Sequence, residues 1–210
     1  RTQIAEGSML PSGKMPYEVF IPAYRDEILS DTVMVYGNVD EVELVLNGKT
    51  IRRQTADKGP DSDYISVPNG GNGKNLHFPP FTFYGVPKER GVLKAVGYHQ
   101  GKKVAEYTVK TPGVPERLDI TYFESGKPAT KNDLLIVYVR MLDKQGVLCP
   151  VNGIPVELSV QGGEIVGPTS YPLEAGVASF LVRTGEISKI NINATGKGFS
   201  TRKSLKVGKE

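Results

Sequence analysis

The sequence predicts an all-β protein built of two tandem sandwiches. Three observations carry that reading. No stretch holds a helical hydrophobic period over the roughly 12 residues a helix needs, while short alternating runs recur throughout. The 24 glycines and 15 prolines punctuate those runs as turns do. Finally, a Pro/Gly-rich break near the middle divides them into two sets.

The elements follow in order. "RTQIAEGSMLPSGKMP" (1–16) reads as an N-terminal tail or linker. Strands are expected at 17–23, 31–37, 41–46, 49–54, 81–86, 92–98 and 103–109. "ADKGPDSDYISVPNGGNGKN", rich in Gly, Asn, Asp and Pro, reads as a long irregular loop. In "ELVLNGKTIR" the pair Asn47-Gly48 lies between alternating segments, the strongest local signal for a two-residue hairpin turn with positive φ at both positions. "LKAVGYHQGKKVAEYTV" is a second hairpin, turning at Gln100-Gly101.

At "VKTPGVPERLDI" two prolines and a glycine interrupt the pattern, which places a boundary at Thr111–Pro115 and gives domains of 17–112 and 113–210. Strands resume at 117–123, 133–142, 154–160, 163–166, 176–183, 188–195 and 202–207. Seven strands at that spacing suit an immunoglobulin-like sandwich. "LLIVYVRML" is apolar almost continuously and reads as a central strand buried on both faces.

Composition narrows the function classes. Twenty-six Lys+Arg against 23 Asp+Glu leave a formal charge of +3 with no basic run, so nothing points to nucleic acid. The longest strongly apolar run, "LLIVYV", is far short of the roughly 20 residues that span a bilayer. No signal peptide is visible and the chain starts at Arg1, which reads as a fragment or processed product with its targeting information elsewhere. The single Cys149 excludes an internal disulfide and a thiolate cluster, and His77 and His99 leave little for an imidazole site.

Candidate chemistry centres on Asp40, Glu41 and Glu43. With a tight turn at Asn47-Gly48, cross-strand partners have numbers summing to 95, so Glu43 faces Arg52 and Glu41 faces Gln54. The face carrying Val42, Leu44 and Leu46 is then the core face, and both glutamates point outward. Carboxylates two residues apart on a strand lie about 6.5–7 Å apart, inside the span of an inverting glycosidase pair. Environment argues the other way. A general acid needs burial or a like charge to raise its pKa, whereas Arg52 would lower that of Glu43. The solvated cross-strand pair is therefore favoured, and Glu43, Asn47, Gly48 and Arg52 are read as a structural hairpin. Asp40, just before the strand, is expected to close a turn through its side chain.

Other groupings are thinner. Asp57, Asp61 and Asp63 could supply oxygens to calcium, but their spacing does not match an EF-hand loop. "PNGGNGKN" lacks the strand–loop–helix context of a phosphate loop. In "HFPPFTFYGV", alternation sends Phe81 and Phe83 to the core and Thr82 and Tyr84 to the other face. His77 and an exposed Tyr84 are the candidate carbohydrate contacts, although the chain has no tryptophan to build a stacking platform. Neither His77 nor His99 has the context of a nucleophilic triad, and Cys149 reads as a buried thiol without chemical consequence. No cofactor is expected.

"VMVYGNVDEVELVLNGKTI" and "HFPPFTFYGVPKERGVLKAVGYHQGKKVAEYTVKTPGVPERLDI" together resemble the β-sandwich that follows the catalytic barrel in bacterial glycoside hydrolases of family 2, many of them β-galactosidase-like. The likeness rests on a Val-x-Val-Tyr-x-Asn strand, Glu-Val-Glu-Leu-x-Leu-Asn-Gly-Lys, Pro-Phe-x-Phe, Gly-x-Leu-x-Ala-x-Gly-Tyr and Thr-Pro-Gly, over about residues 30–120. The remainder is similar to bacterial immunoglobulin-like domains, which commonly follow that sandwich and also occur in adhesin stalks. In such enzymes the catalytic glutamates sit on barrel strands, and 210 all-β residues leave no room for a barrel, so no catalytic residue is carried over. The resemblance implies a non-catalytic accessory region whose partner is the catalytic barrel of a larger enzyme, in a periplasmic or extracellular setting. A carbohydrate-binding module and an adhesin spacer are the alternatives.

Overall fold

The computed structural model describes residues 16–21, 31–57, 78–123 and 128–208. Among these there is no helix, and the chain divides into two compact units, Arg1–Thr111 and Pro112–Glu210.

The first unit packs two antiparallel sheets. One holds β1 (Val19–Phe20), β2 (Val33–Gly37) and β5 (Phe81–Phe83) in the order β1-β2-β5. The other holds β3 (Glu41–Leu46), β4 (Lys49–Thr55), β6 (Val92–His99) and β7 (Lys102–Lys110) in the order β4-β3-β6-β7. β3 alternates strictly, with Val42, Leu44 and Leu46 buried and the residues between them half-exposed. These three pack with Val35, Phe81, Phe83, Leu93 and Ala95 to form the core. Phe81 and Phe83 are fully buried, and burial of each such side chain contributes about 1.5–3 kcal/mol. β4 and β7 form the edges and carry Lys, Arg and Glu along their length, which blunts them against pairing with another chain.

Both expected hairpin turns are present. Asn47 and Gly48 have φ of 51° and 80°, and Gln100 and Gly101 have 50° and 75°, the left-handed pairs that match the twist of the flanking strands. Two expectations shrink. The strand at 17–23 is only two residues long where described, and β5 ends at Phe83 rather than 86. The loop from 58 to 77 lies outside the described residues, as do the tail at 1–15 and His77.

The second unit packs two four-stranded sheets. β8 (Pro115–Tyr122), β9 (Leu134–Asp143), β11 (Gly163–Ile165) and β13 (Val177–Thr184) run in the order β11-β13-β9-β8. β10 (Pro155–Gln161), β12 (Ser170–Pro172), β14 (Lys189–Gly196) and β15 (Phe199–Lys206) run in the order β12-β10-β14-β15. Ile120, Val137, Val139, Met141, Val156, Phe180, Ile190 and Ile192 fill the space between them. The short strand β12 has no counterpart in the sequence expectation; its Ser-Tyr-Pro is exposed throughout and has no alternation to read.

β9 corrects one expectation. It is an interior strand, paired with β13 on one side and β8 on the other, yet over its first half only one of its faces is buried. Leu135, Val137, Val139 and Met141 point into the core, while Leu134 and Ile136 are exposed. Apolar residues on both faces read as double burial, but Leu134 and Ile136 on the second face remain 50% and 43% exposed.

Candidate functional site

The outer face of the β4-β3-β6-β7 sheet brings together the carboxylates singled out from sequence. Its geometry begins with a register shift. Leu46 pairs with Lys49 and Val45 with Thr50, as a two-residue turn dictates. A bulge then intervenes between Leu44 and Val45, leaving Ile51 as the extra residue. Beyond it Leu44 pairs with Arg52, Glu43 with Arg53 and Glu41 with Thr55. Arg52 is therefore not opposite Glu43, because one inserted residue moves every later partner along by one. Arg52 is exposed on β4, and Arg53 takes the position facing the glutamates.

Glu43 accepts two hydroxyl hydrogen bonds. Thr50 donates to its Oε1 at 2.6 Å and Tyr98 to its Oε2 at 2.7 Å. Tyr98 comes from β6, directly opposite Glu41 and diagonal to Glu43. Arg53 reaches the other way along the diagonal, to Glu41 Oε2 at 2.5 Å, and its guanidinium lies 3.7 Å from the centroid of the Tyr98 ring. The five side chains thus form one closed set in which Arg53 spans both an anion and a π face.

This arrangement shifts both titrating groups. The hydroxyls of Thr50 and Tyr98 hold the Glu43 carboxyl below its ordinary value, with the Arg53 charge adding to them against a small desolvation cost. Tyr98 is shifted up because its hydroxyl donates to that carboxylate. A general acid requires the opposite displacement. Glu43 thus accepts one hydroxyl on each oxygen and is displaced away from the range a general acid uses.

Asp40 closes a turn through its side chain, and the turn it caps is that of the second hairpin. The Gln100 amide donates to Oδ2 at 2.7 Å, and the His99 Nδ1 lies 3.0 Å from Oδ1, with the carboxylate as the acceptor. These contacts, the Gln100 amide foremost, lower the Asp40 carboxyl. The His99 ring stacks on Tyr17 at 4.7 Å, which ties the entering segment to the same turn. Asn38, the asparagine of the Val-x-Val-Tyr-x-Asn motif, completes that tie. Its amide donates to the Pro16 carbonyl at 2.8 Å and accepts from the Glu18 amide at 2.7 Å, imitating a neighbouring peptide group.

Asn47 does more than turn the chain. Its Nδ2 donates to the Arg90 carbonyl at 3.1 Å and its Oδ1 accepts from the Val92 amide at 2.9 Å, so the turn is clamped onto the start of β6. Gly48 supplies only the second positive φ.

The remaining candidates are dispersed. Tyr84 is half-buried and its hydroxyl oxygen is closed off from solvent, so it does not offer the exposed ring expected for sugar stacking. Asp57 is engaged by Thr82, accepting from its amide at 3.0 Å and its hydroxyl at 2.5 Å, while Asp61 and Asp63 lie outside the described residues. Among the described residues no three His, Cys, Asp or Glu side chains gather as a metal centre would require. Cys149 is buried in the second unit, its thiol pushed up by desolvation and then by the Asp143 charge. Asp143 itself is a structural acceptor. Its carboxylate takes the amides of Gly113, Gln145 and Val147 at 2.7–2.8 Å.

Sequence reasoning missed Thr50, Arg53 and Tyr98. Alternation places Thr50 and the Glu43 side chain on one face, but no local signal announces the bulge or the pairing of β3 with β6.

A family model described as "Domain of unknown function (DUF4982)" matches residues 30–105. A β-galactosidase of Thermoanaerobacter pseudethanolicus is 30% identical over 176 residues, covering 78% of this chain and 22% of that protein. The β-galactosidase BoGH2A of Bacteroides ovatus is 32% identical over 133 residues, covering 62% of this chain and 13% of that protein. A β-galactosidase of Rhizobium radiobacter is 30% identical over 129 residues, covering 60% of this chain and 92% of that sequence. Among solved structures, a β-glycosidase from Bacteroides vulgatus superimposes with a TM-score of 0.71 at 16% identity, over 91% of this chain and 25% of that one. A β-glucuronidase from glycoside hydrolase family 2 gives 0.71 at 22% identity, over 92% and 20%. The chain thus spans about a fifth or less of the first two curated relatives. It belongs to the β-galactosidase-like proteins of glycoside hydrolase family 2, and its described residues form two all-β sandwiches.

Proposed function

We propose that this chain is a non-catalytic accessory region of a larger β-galactosidase-like glycoside hydrolase. Its role is to support the catalytic barrel, the flank of the cleft or contacts between subunits, in a periplasmic or extracellular enzyme. The observation that carries the reading is the state of the carboxylates. Glu43 accepts hydroxyl hydrogen bonds from Thr50 and Tyr98, and Glu41 is ion-paired with Arg53, contacts that favour a structural sheet surface over an acid/base pair. The small share of the β-galactosidase relatives that the chain covers supports the same reading.

The test is hydrolysis of nitrophenyl β-galactoside and β-glucuronide by the isolated chain and by the full-length polypeptide that carries it. Activity confined to the full-length protein is the expected result. Turnover by the isolated chain, lost in a Glu41→Gln, Glu43→Gln variant, would overturn the proposal.

A further inference from the structure

The outer face of β9 holds an apolar patch that the sandwich itself does not use. Ile136 pairs with Leu181 of β13 on one side, and on the other the Phe123 amide donates to the Ile136 carbonyl at 2.9 Å. Leu181, Ile136 and Phe123, the residue that follows β8, therefore form one row. Leu134 lies in the next outward position, and Tyr138 in the one on the opposite side of Ile136. These side chains stay open to solvent: Phe123 and Leu134 are each 50% exposed, Ile136 43% and Leu181 36%. A solvated antiparallel sheet normally presents polar residues at such positions, as the opposing β10 does with Glu157 and Ser159.

The rim shows what kind of partner fits. Arg183 is paired with Glu164 at one end and Arg140 with Asp119 at the other. Each charge near the patch has a partner within its own sheet, leaving an aliphatic centre without charge to steer a transient encounter. Permanent interfaces have that composition, with charge depleted from an apolar centre. Four aliphatic or phenyl groups with few hydrogen-bonding groups among them also suit a protein surface better than a sugar.

We infer that the outer face of β8, β9 and β13, centred on Ile136 and Leu181, packs permanently against an apolar surface elsewhere in the full-length polypeptide. The inference rests on the accessory reading above. It commits to the same polypeptide because the first two curated relatives extend well beyond the matched region, which covers 22% and 13% of them. It also explains why "LLIVYV" reads as doubly buried: its apolar character on both faces is matched to two layers, one inside the sandwich and one outside it.

Thiol protection tests this directly. Leu181→Cys adds a thiol at the centre of the patch, Ile136→Cys repeats the measurement on the neighbouring strand, and Ser159→Cys is the control on the opposite sheet. Native Cys149 is only 2% exposed and is a slow background. Alkylation by iodoacetamide is followed by peptide mass spectrometry in the 210-residue chain and in the full-length polypeptide. The expected result is free reaction at all three positions in the chain. In the full-length protein, reaction at 136 and 181 slows at least tenfold while 159 is unchanged. Equal rates at 136 and 181 in both proteins would overturn the inference. Concentration-dependent protection in the chain alone would overturn it too, by assigning the face to a second copy. Protection in a full-length protein devoid of glycosidase activity would uphold the docking face and sink the accessory reading.

Discussion

Asn47 combines two separable contributions, and substitution can part them. Its backbone sits at a φ of 51°, and its side chain makes two short hydrogen bonds to the β6 approach, at 3.1 Å and 2.9 Å, beside a long one to Glu89 Oε2 at 3.5 Å. Asn47→Gly keeps the turn geometry and removes these side-chain bonds, of which the two short ones carry most of the energy. At about 0.5–1.5 kcal/mol each, discounted because the site is exposed, the loss is about 1–2 kcal/mol. Asn47→Ala removes the same bonds and forces a Cβ-bearing residue without a local polar compensation into the left-handed region, adding about 1 kcal/mol. The alanine variant is therefore expected near 2–3 kcal/mol less stable than wild type. Calorimetry or far-UV circular dichroism is the assay, since the chain has no tryptophan to report by fluorescence. The first unit is the size of a small domain, for which 1 kcal/mol moves Tm by about 4–8 °C, so the two variants should be separated by several degrees. The second unit's transition should stay in place. A glycine variant as stable as wild type would refute the clamp onto β6, and an alanine variant equal to the glycine one would refute the backbone contribution.

Acidification should expose the Glu43 contacts. Because its folded pKa lies below the ordinary 4.5, the stabilisation is fully present above that value and is lost as pH falls through the folded one. The Tm gap between wild type and Glu43→Gln should therefore be constant at neutral pH and close below about 4.5; a gap that widens on acidification would contradict the assignment. In the second unit, Gly176→Ala should lower Tm by an amount corresponding to more than about 2 kcal/mol, since positive φ alone costs about 1–2. The φ there is +84° and an added Cβ would fall 2.1 Å from the Cys149 carbonyl oxygen, so a backbone shift is unavoidable. An unchanged Tm would show that this turn relaxes freely.

Much of the fold was legible because its signals are local. Asn47-Gly48 and Gln100-Gly101 announce positive φ by residue type, and the alternation in "EVELVL" assigns inward and outward faces wherever the strand ends up. Where alternation is absent, as in Ser170–Pro172, the strand was missed. The candidate site was legible only in part. Glu41 and Glu43 could be sent outward from parity, but their partners depend on register, and a single bulge at Ile51 replaced Arg52 with Arg53. Tyr98 is 55 positions from Glu43, and only the pairing of β3 with β6 brings them together.

Sequence alone therefore determined the all-β class, the places where the chain turns and the side of each strand that faces a core, because φ preference and period-two alternation act within a few residues. Tertiary structure decided which strands are neighbours, and with that the hydroxyl contacts of Glu43, the capping of the Gln100 turn by Asp40 and the exposure of Ile136 and Leu181. Those properties depend on distances between segments far apart in the chain. Such distances are set by how two sheets stack and register to bury their apolar faces, and no local pattern encodes them.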